Sequence, residues 1–151
     1  MTTESLCANL IERYVSTCLC FVPGEEEGEY LCVANVRPRR LRVHLEISSS
    51  FSDVLAIRVT PTRTFPAVDR PGLTHFADTW NRQNRDVTAI VHCSSDPGRI
   101  GVVARRSHWI REGLPFEDFA SIADRTIAAA IELFAALTPV ERPDSARHVR
   151  L

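Results

Sequence analysis

The residues from which chemistry could be built are few: five cysteines, five histidines and one crowded polar run. That run, ADTWNRQNRD at residues 77–86, gathers Trp80, Asn81, Arg82, Asn84 and Arg85. An indole face and two guanidinium forks are what a base-stacking or phosphate grip uses. A plainer reading also fits. Leu73, Phe76, Ala77 and Trp80 recur at helical spacing, and Arg82 and Arg85 lie off that stripe, where cations complement a helix C-terminus. Asn81 and Asn84 suit a helix end because asparagine tolerates the left-handed cap conformation. The run is read as a helix terminus, with Asn81 and Asn84 kept as candidate partner contacts.

Two further combinations call for weighing. His44 and Glu46 alternate along a strand-like segment, so they share a face as an acid–base pair. His92 and Cys93 are adjacent, and strand neighbours point to opposite faces, so that imidazole does not activate that thiol; Cys93 is expected on the core face with Val87, Ala89 and Val91. Cys18, Cys20, Cys32 and His44 lack the short chelate turn of zinc sites. No metal or other cofactor is expected. Nucleophile-elbow, phosphate-loop, dinucleotide and zincin patterns do not occur, so no catalytic residue is assigned.

The elements that must position these residues follow from patterning. At 151 residues and 44% hydrophobic, the chain suits one domain with a core of its own. Leu6, Leu10 and Tyr14, flanked by Ile11 and Val15, predict a first helix; a short strand is a candidate before Val22. Residues 29–36 and 41–47 predict a hairpin around RPRR, with Leu41, Val43, Leu45 and Ile47 inward and Arg42, His44 and Glu46 outward. Residues 54–60 continue the sheet through Leu55, Ile57 and Val59. A proline- and threonine-rich loop over 61–71 leads to the second helix, with Pro71 in its first turn. VTAIVHC and RIGVVAR form a second hairpin about Asp96-Pro97-Gly98, and SHWIREG links it to a last helix opened by Pro115 and stopped by Pro139. An exposed tryptophan in a link makes a good interface anchor, so Trp109 and Ile110 are candidate partner-binding residues. The predicted fold is α+β, an antiparallel sheet with three helices on one face, in the order α-β-β-β-α-β-β-α. Residues 1–138 form the domain and 139–151 a flexible tail.

Charge narrows the partners. The net charge is −1, and all 18 basic residues are arginine, which removes lysine chemistry and any global pull toward nucleic acid or anionic membrane. RPRRLR at 37–42, with Arg39 and Arg40 at its centre, is the basic cluster; EEEGE at 25–29 is the acidic one, ~26 Å away along one strand. The cluster is read as a solvated turn or as an electrostatic contact to a partner or a second protomer, with Arg39 and Arg40 as candidate partner-binding residues. An odd cysteine count fits reduced thiols, and neither a secretory leader nor a membrane span is evident, so a cytoplasmic location is expected.

Residues 76–137 resemble the second half of YbjN-domain proteins, in which a helix ending in an asparagine-rich run precedes two strands, a glycine-containing link and a long amphipathic helix. The matching residues are Trp80, Asn81, Asn84, Gly101, Gly113 and Phe119. That family is related in fold to type III secretion and Tir-like chaperones. The resemblance implies a non-enzymatic, chaperone-like or regulatory protein that binds other polypeptides as a homodimer. The alternative is a small enzyme or ligand-binding domain working around His44 and Glu46.

Overall fold

A computed structural model describes residues 3–17, 21–23, 30–36, 39–47, 54–61, 64–110 and 113–150, with side chains over 9–17, 41–46, 54–61, 64–110 and 113–137. The expected cysteine pair Cys18 and Cys20 and the acidic run 25–29 lie outside the described residues. Among the described residues, three helices, α1 (Thr3–Ser16), α2 (Arg70–Gln83) and α3 (Phe116–Arg150), accompany seven strands. The strands are β1 (Phe21–Pro23), β2 (Tyr30–Val36), β3 (Arg39–Ile47), β4 (Val54–Pro61), β5 (Phe65–Pro66), β6 (Thr88–Cys93) and β7 (Arg99–Trp109). The five longer strands and three helices follow the predicted α+β order, and β1 is the extra short strand after the first helix.

All pairings are antiparallel, in the order β1-β2-β3-β4-β7, with β6 and β5 both on β7. Register explains which face is core. Val43 stands opposite Val59, Leu45 opposite Ile57, and Val59 opposite Ala104; all five are fully buried, as are their neighbours Leu41 and Leu55. Alternation puts Ile100 and Val102 of β7 and Val87 and Ala89 at β6 on the same side. Each large side chain so buried contributes about 1.5–3 kcal/mol.

The helices close that side. On α3 the buried positions Phe119, Ala123, Thr126, Ala130, Leu133 and Leu137 repeat every three or four residues, one continuous stripe aimed at the sheet. Ile11 and Tyr14 of α1 and Leu73 and Ala77 of α2 complete the core. Tyr14 ties α1 to α3: its ring meets Phe119 edge-on at 6.0 Å, and its hydroxyl donates to Asp124 Oδ1 at 2.6 Å. Arg13 lies over the Phe116 ring, 4.1 Å from its centroid.

The structure departs from the expected boundaries at several points. β3 begins at Arg39, so Arg39 and Arg40 are strand residues facing Val36 and Asn35, not turn residues. The 61–71 loop holds β5 and a 3₁₀ turn, Ala67–Asp69, because β4 leaves the Ile100 end of β7 unpaired and Phe65 and Pro66 fill that edge. β7 runs through Trp109, since β4 supplies partners as far as Val54. Finally, α3 passes Pro139 and Pro143 to reach Arg150 instead of stopping. A proline removes one intrahelical hydrogen bond, and a helix whose other bonds form can carry it.

Candidate functional site

The 77–86 run resolves into a clasp. Trp80, half-buried and stacked on Phe76 with 6.4 Å between ring centroids, donates its indole N–H to the Val87 carbonyl at 3.2 Å. Asn81 imitates a strand: its amide nitrogen donates to the Ala89 carbonyl at 3.0 Å, and its amide oxygen accepts the Ala89 N–H at 2.8 Å. Asn84 ends α2 in extended conformation, φ −131°, not in the left-handed one expected of a cap. It does so because both its backbone N–H (2.9 Å) and its side-chain amide (3.1 Å) are drawn to the Trp80 carbonyl. These side chains fasten the end of α2 to strand β6.

The other face of the sheet lies opposite the helices' buried stripes, and its residues follow from register. β3 contributes Arg42, His44 and Glu46; β4 contributes Val54, Ala56, Arg58 and Thr60; β7 contributes Val103, Arg105, Ser107 and Trp109; β6 contributes Thr88, Ile90 and His92. One row across the sheet reads His44–Arg58–Arg105–Thr88, and the row at its end reads Val54–Trp109. Glu46 Oε1 lies 3.2 Å from Arg58 Nη2. Arg42 and Arg105 are exposed and make no ion pair among the described residues. Arg58 Nε is shielded from solvent and, among the described residues, has no acceptor.

Trp109 is 70% exposed at the corner of this face, whereas Ile110 turns into the core at 2%. Of that pair, only Trp109 offers surface. Arg39 and Arg40 are placed by backbone alone. Glu46 is engaged with Arg58, so the His44–Glu46 pair is part of a flat mixed-charge surface. Cys93 shares the expected pleat side with Val87, Ala89 and Val91, opposite Ile100, but it lies exposed at the end of β6. The His92 ring lies over Gly101, where a Cβ would come within 2.4 Å of it, and Nδ1–H donates to the Cys93 carbonyl at 3.0 Å. That ring is therefore directed away from the thiol.

On the covered face, His108 and Thr126 are joined. The Thr126 hydroxyl donates to the Ile122 carbonyl at 2.9 Å, so its oxygen accepts from His108 Nε2–H at 3.1 Å. Burial, and then Arg106, hold the His108 pKa below its ordinary 6.5, with Asp86 opposing them. Sequence patterning does not single out His108, whose partner lies on a distant helix.

Among known proteins, no family model and no curated relative matches the sequence. Solved structures do. YbjN from E. coli, a candidate transcription regulator, superposes with a TM-score of 0.67 at 10% identity, covering 87% of this chain and 91% of that one. The fold is YbjN-like. An uncharacterized protein from Methanothermobacter thermautotrophicus gives a TM-score of 0.54 at 12% identity, over 93% of this chain and 99% of that one. The ExsC–ExsE complex gives 0.49 at 17% identity, over 86% and 92%. Within the described residues no helix is long and apolar enough to cross a membrane.

Proposed function

We propose that this chain is a non-catalytic protein-binding domain of a chaperone-like or regulatory kind, and that it works as a cytoplasmic homodimer. Residues 1–138 act as the unit and 139–151 as an appendage to it. The observation that carries the reading is Trp109, exposed on the sheet face opposite the one the helices pack on. Tryptophans in such positions are enriched among the anchors of protein interfaces, since they desolvate a large area at little entropic cost. Likeness of fold to YbjN is consistent with a regulatory role and adds no residue-level support at 10% identity.

The test is affinity purification from the native cell with wild-type and Trp109→Ala proteins, followed by mass spectrometry. A partner recovered with wild type and lost with the variant, whose melting temperature is unchanged, supports the reading. The same proteins recovered with both would count against it. Sedimentation equilibrium should return the mass of two chains; a single-chain mass at tens of micromolar removes the homodimer.

A further inference from the structure

We infer that the uncovered sheet face receives an acidic segment of another polypeptide, with Arg42, Arg58 and Arg105 taking its carboxylates and Trp109 packing against an apolar side chain beside them. The inference rests on the protein-binding reading and names the partner's chemistry.

Three observations carry it. Arg58 and Arg105 stand directly opposite each other on neighbouring strands, an arrangement in which like charges destabilise a sheet. Against Arg42, Arg58 and Arg105 the described part of the face sets one carboxylate, Glu46, so its excess is positive within a chain of net charge −1. The third observation is that Arg42 and Arg105 are exposed and make no ion pair among the described residues. A guest carboxylate lying across the Arg58–Arg105 row meets the exposed Arg105 guanidinium beside Arg58 and relieves the repulsion, and guanidinium groups take carboxylates in two-point contacts.

Spacing suits an extended guest. Arg58 and Arg105 are on adjacent strands about 4.8 Å apart, and Arg42 is one strand over and two residues along, roughly 8 Å from Arg58. An extended chain repeats same-side carboxylates every ~6.7 Å, within reach of flexible arginines. Apolar pairs lie on both sides of the row, Val103 opposite Ile90 one same-face row away, and Val54 opposite Trp109 two rows away, about 13 Å along the strands beyond the Glu46–Ala56–Ser107 row. A single-stranded nucleic acid would use several stacking platforms, whereas Trp109 is the one large aromatic classed as exposed among the described residues.

Fluorescence anisotropy tests this with a short labelled peptide bearing glutamate at alternate positions and one terminal leucine, its lysine counterpart, and an oligothymidine. The wild type should bind the glutamate peptide and not the lysine one. Arg42→Gln/Arg105→Gln should weaken binding about tenfold, as expected for lost charge-assisted hydrogen bonds. Arg42→Lys/Arg105→Lys should recover part of the loss. Both variants alter exposed side chains, and circular dichroism checks their fold. The inference is overturned by no glutamate-peptide binding, by binding indifferent to the double substitution, or by tighter, arginine-dependent binding of oligothymidine. It is also overturned if the double substitution dissociates a homodimer, which would make a second copy the occupant. Failure with the peptide while Trp109-dependent capture persists removes the acidic guest and leaves the broader reading standing.

Discussion

Asn81 shows how a residue chosen for its reactive group can be absorbed by the fold. Its amide replaces a missing strand for Ala89, so Asn81→Ala strands a backbone donor and acceptor beside a half-covered edge. A urea melt should show a loss of about 1–3 kcal/mol, two hydrogen bonds' net worth. The sequence identifies Trp80, Asn81 and Asn84 as a helix terminus, yet Asn84's extended conformation and the bridge to Ala89 depend on where β6 arrives, which no local pattern encodes. His108 belongs to the same class of tertiary consequence. Its pKa is lowered in the folded protein, so the unfolded chain binds its proton first as the pH drops. The contribution is fully present above 6.5 and is lost as the pH falls from there through the lowered folded value. His108→Gln should flatten that part of the stability–pH curve; an unchanged slope in thermal melts between wild type and variant would show that His108 does not contribute.

At the scale of elements, alternation and helical periodicity were enough to reveal β3, β4, β6, α2 and the inner stripe of α3, because burial on one face imposes its period directly on the sequence. Ends were harder to read. β7 gains Arg106–Trp109 only because β4 is there to pair with it, and Trp109 consequently projects from a rigid strand, not from a link. The docking of α1 on α3 likewise comes from contacts distant in sequence. Tyr14→Phe keeps the ring contact with Phe119 and removes the bond to Asp124, and should lower stability by about 1–3 kcal/mol in chemical denaturation. Tyr14→Ala, which also empties a core position, should cost more, about 3–5 kcal/mol by analogy with other large aromatic truncations.

At the scale of the molecule, three amphipathic helices satisfy one side of a sheet, and the other is the side proposed for a polypeptide partner. The covered side was legible in advance, since its residues are apolar at fixed spacing. The open side was not, because Arg42, Arg58, Arg105 and Trp109 come from three strands and meet only through register. The proposed interface predicts that contact depends on the sheet face and not on exposure alone, and Val68 provides the comparison: it is 82% exposed on the 3₁₀ turn, in a different element from the arginine row. A photo-crosslinking amino acid placed at position 109 or at position 68, with irradiation in the native cell, reads this out directly. We expect a protein adduct from position 109 and little from position 68. Equal adducts from both positions, none from 109, or adducts to nucleic acid at 109 would contradict the assignment of the open sheet face as a polypeptide-docking surface.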